Sequence, residues 1–145
     1  MNIPDSPAAI LRTYFLDKRI VSDQPGTRNF PVYLSTEPEE PENCITIYDQ
    51  GLLEDGRLME GELIEHPECS IRIRSKSYSE GWTQLNTIAK TIEDTVWKIL
   101  SIKSRRYRIQ SITLVNRQSI GRDANDRSIF TGTVRMTINY LPTPA

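Results

Sequence analysis

SIRIRSKSYSEGWTQLNTIAKTIEDTVWKIL, residues 70–100, changes its hydrophobic period partway along. Over SIRIRSK (70–76) the apolar residues alternate, with Ile71 and Ile73 on one side and Arg72 and Arg74 on the other. Period two is the signature of a strand with one covered and one polar face. Ser77 and Glu80 then have the S-x-x-E spacing of a capping box, where a helix begins. Beyond it Leu85, Ile88, Ala89, Ile92, Val96, Ile99 and Leu100 fall at offsets of 0, 3, 4, 7, 11, 14 and 15 from Leu85. That spacing predicts one apolar stripe along a helix over 82–100, long enough to lie across a sheet and supply much of the core.

Working outward, Ser6-Pro7 has the form of an N-cap followed by proline at the first helical position. Ile10, Leu11, Tyr14, Phe15 and Lys18 continue it as an amphipathic helix of about three turns ending near Arg19. Pro25-Gly26 is a breaker, and Phe30 to Leu34 reads as a short strand. EPEEPEN (37–43) is too acidic and proline-rich for regular structure and is expected to be a surface loop. CITIYD (44–49) is a β-branched run that predicts a buried strand. Residues 50–68, with Gly51, Asp55-Gly56 and Gly61, read as an irregular hairpin or excursion outside the core. Two long strands, Tyr107–Arg117 and Ser128–Leu141, are joined by SIGRDANDR (119–127), too long for a tight turn and suited to a protruding hairpin tip. Pro142 and Pro144 follow. Helices and strands are segregated rather than alternating as βαβ units, so the fold class is α+β. The expected architecture is a mostly antiparallel twisted sheet, a long core helix packed on one face, and an N-terminal helix.

The chain has 145 residues, the size of a single domain spanning 1–145 with one core. MNIPDSPAAILRTYF has no basic region followed by a long apolar run, so no signal peptide is expected. No apolar stretch approaches the roughly 20 residues that span a bilayer, and no membrane partner is expected. With two cysteines, free thiols in a cytoplasm are the expectation. The net charge of −1 conceals a division. Residues 1–68 hold 14 acidic and 5 basic side chains, and residues 69–145 hold 5 and 13. These halves either neutralise each other within one fold or meet across a subunit contact. A nucleic-acid-binding domain would be basic overall, which argues against that class.

The chemistry-bearing residues form no complete set. His66-x-x-Cys69 with Cys44 offers three ligands, where a structural zinc site wants four in tighter spacing. His66 precedes Pro67 at what reads as an acidic turn, where an exposed histidine needs no special role. Cys44 and Cys69 each read as the start of a strand, where cysteine acts as a small buried apolar residue rather than a nucleophile. One histidine, no G-x-S-x-G and no glycine-rich phosphate loop leave no triad and no nucleotide cradle. Lys98, Lys103, Arg105, Arg106 and Arg108 form a basic cluster, read here as cations at a helix C-terminus. Trp97 and Tyr107 alone interleave it, too few for a base-stacking platform. No catalytic residue, metal ligand or cofactor is therefore expected, and the chain reads as a scaffold.

PENCITIYDQG (41–51), then IEHPECSIRIRSKSYSEGW (64–82) and the helix after it, resembles the tail-terminator and minor-capsid proteins of long-tailed bacteriophages. The shared features are an acidic proline-containing loop, an N-C-I strand ending in D-x-G, and an H-P turn. An alternating strand with an R-S-x-x-Y ending and a helix follow. Here they fall on Pro41–Gly51, His66-Pro67, Ile71–Arg74 and Ser75–Tyr78, so the order covers the chain from about residue 41 onward. Residues 52–63 and the 119–127 tip lie outside these motifs. The resemblance implies a virion protein, made in the bacterial host, that assembles as a homo-oligomeric ring, usually of six copies. The ring would cap the head-proximal end of the tail, touching the tail-tube protein and the head–tail connector, with DNA passing through unread. A head-completion or neck role is the sibling reading. A small-ligand or nucleic-acid binding module is the alternative from another class. Under the ring reading Arg72 and Arg74 face solvent or a neighbour. The tip, with Arg117, Arg122, Asp123, Asp126 and Arg127, reaches a neighbouring subunit or lines the opening.

Overall fold

The computed structural model describes residues 4–24, 29–57 and 63–141. The breaker at Pro25-Gly26, Gly61 and the closing prolines lie outside the described residues. The elements run α1 (Pro7–Asp17), β1 (Val32–Leu34), β2 (Cys44–Arg57), β3 (Leu63–Ser75), α2 (Tyr78–Glu93), β4 (Lys98–Ile102), β5 (Arg105–Arg122) and β6 (Ser128–Leu141). The strands make one six-stranded sheet in the order β1-β2-β3-β6-β5-β4, curled into a half-barrel. Only β1 and β2 pair in parallel; the other neighbours are antiparallel. The α+β class, the antiparallel sheet and the N-terminal helix are as the sequence predicts.

α1 starts as its sequence dictates. Ser6 Oγ accepts from the Ala9 N–H at 3.2 Å, and Pro7 occupies the first turn, where its missing N–H costs nothing. Asp49 Oδ1 at the end of CITIYD accepts a second free donor, the Ala8 N–H, at 2.8 Å. Ala8, Ile10, Leu11, Tyr14 and Phe15 are buried along one side of the helix. The Tyr14 hydroxyl meets the Thr95 hydroxyl at 2.6 Å, which ties α1 to the end of α2. Across the sheet the covered face is built from Ile45 and Ile47, Cys69, Ile71 and Ile73, then Phe130, Val134, Met136 and Ile138, all buried. Register explains the grouping: Ile47 faces Ile71, which faces Gly132, and Ile45 faces Ile73, which faces Phe130. Each fully buried Ile or Phe contributes roughly 1.5–3 kcal/mol relative to exposure.

The long core helix over 82–100 is not there. α2 ends at Glu93 after 16 residues and buries Gly81, Leu85, Ile88 and Ile92. Val96 is 82% exposed, while Ile99 and Leu100 belong to β4. Two causes act together. Asp94 at the helix end opposes the dipole, and Thr95-Val96 is β-branched, so the helix gains little by continuing. The next five residues pair with β5 instead, through a two-residue loop at Lys103 and Ser104, both with positive φ (47° and 67°). That is the backbone of a type I′ hairpin turn. α2 sits close to the sheet because residue 81 is glycine; a Cβ there would lie 2.4 Å from Phe130 Cε2.

The 50–68 segment is also more regular than expected. β2 and β3 form a long hairpin in which Leu53 faces His66 and Arg57 faces Leu63, with register shifts at Asp49/Leu52 and Glu54/Gly56. His66-Pro67 is inside β3 rather than at a turn.

Candidate functional site

The charged residues singled out in the sequence divide into three groups by what they touch. Arg74 is buried, at 2% exposure, and does not face solvent. It stands on the polar face of β3, but the 37–42 loop folds over it. Its Nη1 donates to Glu37 Oε1 at 3.0 Å, Nη2 to the carbonyls of Pro41 at 2.7 Å and Glu39 at 3.2 Å, and Nε to the Glu42 carbonyl at 3.3 Å. A loop too short and too acidic to pair as a strand has its carbonyls satisfied by one guanidinium fork. Arg127 closes the same loop from the other side. Its Nη1 donates to the Glu39 carbonyl at 2.7 Å and its Nε to Asp123 Oδ2 at 2.8 Å. Asp123 also accepts the backbone N–H groups of Arg127 and Asn125. Those donors, the Arg127 N–H foremost, hold its carboxyl below the usual aspartate range. Arg74, Asp123 and Arg127 thus make an internal lock between the 37–42 loop and the hairpin end.

The second group is exposed except for Arg72. Arg122 Nη1 and Asp126 Oδ1 meet at 2.9 Å with side chains 58% and 80% exposed. Arg72 is half-buried, its Nε 2.7 Å from Glu37 Oε2. The tip is shorter than 119–127, since β5 runs to Arg122 and β6 starts at Ser128, leaving a tied loop of 123–127. Arg117 stands apart, exposed on β5 beside Ile112, Thr113 and the Glu93 and Thr95 end of α2.

A third group was not legible as a site. The basic cluster at 98–108 lies on the β4–β5 hairpin, so it does not cap a helix. Arg105 grips Asp5 through Nε at 2.7 Å and Nη2 at 2.8 Å, and the Tyr107 hydroxyl donates to the same carboxylate. The Arg105 guanidinium holds Asp5 below its ordinary value, while burial, reinforced by Asp5, pushes Tyr107 up. Lys98 reaches Asp17 at 2.8 Å. Arg72 and Arg74 with Glu37, Lys76 with Glu42, Lys98 with Asp17, Arg105 with Asp5, and Arg135 with Glu68 all join the acidic half to the basic half. Much of the charge division is therefore neutralised inside one fold.

The pleat separates the remaining chemical groups. His66 and Cys69 are three apart on β3 and so point to opposite faces. His66 Nδ1 lies 3.1 Å from Thr137 Oγ1 on the polar face, whereas Cys69 joins the apolar core. Cys44 pairs with Arg74 and Cys69 with Asp49, five rungs apart on one ladder or about 17 Å, beyond disulfide reach. Burial pushes the Cys69 thiol up to about 12 and raises Cys44 as well, so neither supplies a thiolate near neutral pH. What the described surface offers is a polar sheet face, an exposed hairpin end and exposed apolar side chains at Val96, Trp97, Ile99 and Ile120.

A family model described as bacteriophage tail terminator protein matches residues 4–140. No curated protein matches the chain.

Proposed function

The chain belongs to the bacteriophage tail terminator protein family, and from that premise we propose that it caps the head-proximal end of the tail tube as a homo-oligomeric ring, stops tube growth and joins the tail to the head. The family makes it a structural tail protein and a component of the virion. The observation that carries the finer reading is the family match over residues 4–140, nearly the whole chain. The geometry supports it. The thiols are buried, the single histidine is across the sheet from Cys69 and eight residues along β3 from the rung that holds Cys44, and the exposed features are edges, a hairpin end and aromatic side chains. Such features suit an assembly subunit. We take the ring to hold six copies and to contact the tail-tube protein on one side and the connector on the other. DNA passes the opening without base reading, since phosphate contacts carry no sequence information. Of the seven charged residues, Arg72, Arg117, Arg122 and Asp126 remain available to a neighbour or the lumen.

The test is electron microscopy of tails assembled with and without the protein. Overlong tube polymers in its absence, restored to uniform length by adding it, are the expected result. Tails of normal length that fail only to join heads would overturn termination in favour of a neck role.

A further inference from the structure

The sheet is ragged in a particular way. β4 pairs with β5 only from Arg105 to Ile109, and β1 pairs with β2 only from Ile45 to Ile47. Among the described residues, β5 from Ser111 to Arg122 and β2 from Asp49 to Arg57 therefore each have one flank without a strand beside it. These flanks are on opposite edges of the sheet and displaced toward opposite ends, overlapping where 111–114 is level with 49–53. The β5 flank is level with Cys44, Arg74 and Ile129, at the hairpin end; the β2 flank runs down to the level of Leu63 and Tyr140. A long open flank is a template for another strand. β5 has no proline in this stretch, a residue that would blunt it.

We propose that the ring is closed by edge-to-edge pairing of sheets, the 111–122 flank of one copy running antiparallel to the 49–57 flank of the next. The inference deepens the ring reading and rests on it. The occupant is a second copy for three reasons. The two flanks are of similar length, and their diagonal placement lets β4 of one copy and β1 of the next clear each other. The added copy lands shifted along the strands, the stagger that a closed sheet with tilted strands requires. The charges of the two flanks are complementary: 111–122 holds Arg117 and Arg122 and no acid, while 49–57 holds Glu54 and Asp55 against Arg57, besides Asp49, whose carboxylate caps α1. Arg117 and Glu54 are each near the middle of their flank. At the start of the β5 flank Val96 and Trp97 are 82% and 58% exposed, and Ile120 near its end is 50% exposed. An exposed tryptophan beside an open edge is the kind of anchor that dominates an interface. The contact is head-to-tail, which closes into a ring when its rotation allows.

Paired strands bring Cα atoms to about 4.5–5.5 Å, within disulfide range. Arg117→Cys is combined in turn with Leu53→Cys, Glu54→Cys and Asp55→Cys, the protein is concentrated and oxidised, and products are run on a non-reducing gel beside light scattering. At least one pair is expected to give a ladder ending at the ring mass, and each single variant to stay monomeric on the gel. Rings by scattering with no cross-linked pair, or dimers from Arg117→Cys alone, would overturn edge pairing and leave the ring intact. No assembly at any concentration, with the tail-tube protein present, would overturn both. A charge exchange guards against a folding defect in the cysteine variants. Arg117→Glu should weaken ring formation at least tenfold, and adding Glu54→Arg should restore it. No rescue in a folded double variant counts against the pairing.

Discussion

The Arg74 guanidinium lies 3.0 Å from the Glu37 carboxylate at 2% exposure, with three backbone carbonyls of the 39–42 stretch as its other acceptors. A buried charge paired this fully stabilises little against an apolar substitute of both partners, but removing one partner strands the other. Arg74→Ala is therefore expected to destabilise the protein by about 3–5 kcal/mol in urea unfolding. Glu37→Gln should cost less, because the carbonyl acceptors stay paired. Equal and additive losses would show that the loop is not organised around Arg74.

The Asp5–Arg105–Tyr107 cluster makes stability depend on acid. Asp5 is held below its ordinary value of 3.8, first by the Arg105 hydrogen bond. A depressed carboxylate stabilises the fold fully above its unfolded value, and that contribution is lost as pH falls through the folded value. Stability should thus decline below about pH 4, and Asp5→Asn should lower the melting temperature near neutral pH while flattening the acid decline. Melts of both proteins between pH 2 and 7 check this. An unchanged acid limb in Asp5→Asn would assign the decline to other carboxylates, Asp123 first.

Ile92 and Val96 share one stripe in the sequence and separate in the structure, at 4% and 82% exposed. Ile92→Ala should cost on the order of 2–5 kcal/mol, as for other large core truncations. Val96→Ala should stay within about 0.5 kcal/mol, as surface changes do. Equal losses in thermal melts would restore the longer helix.

That pair also shows where sequence reasoning stops. Ser6-Pro7 declares itself because a cap is a local hydrogen-bonding pattern, and the alternation of 70–74 and the β6 run because one covered face enforces period two. The end of α2 does not, since Val96, Ile99 and Leu100 continue a helical spacing by coincidence. The competing signal is a hairpin turn made by Lys103-Ser104, which lacks the Asn-Gly or Asp-Gly usual where two successive residues need positive φ. The split of the charged residues was hidden for a different reason. Nothing local to Arg72 and Arg74 distinguishes them, yet a loop more than 30 residues earlier buries one and half-covers the other. Non-local closure of this kind has no period to detect. Family resemblance, carried by the order of short motifs after residue 41, survives such errors because it does not depend on where a helix ends.

The hairpin end supplies a separation between folding and assembly. Asp123 and Arg127 are tied to each other and to the 37–42 loop, whereas Arg122 and Asp126 touch each other in solvent. An exposed pair of this kind is worth about 0–1 kcal/mol. Asp126 has φ 61°, so glycine is the replacement that keeps its backbone unstrained. Arg122→Ala with Asp126→Gly is expected to move the melting temperature by no more than about 2–4 °C, the shift that 1 kcal/mol gives in a chain of this size. Arg127→Ala should move it further, since it removes the side-chain donor to Asp123 Oδ2 and the shorter of the two donors to the Glu39 carbonyl. If the exposed pair meets a neighbour or the lumen, the double variant should nevertheless weaken ring formation or tail completion, read by light scattering and by electron microscopy of tails. Rings and tails of normal yield and length from the double variant would make Arg122 and Asp126 a solvated end and leave the β5 edge to carry assembly alone.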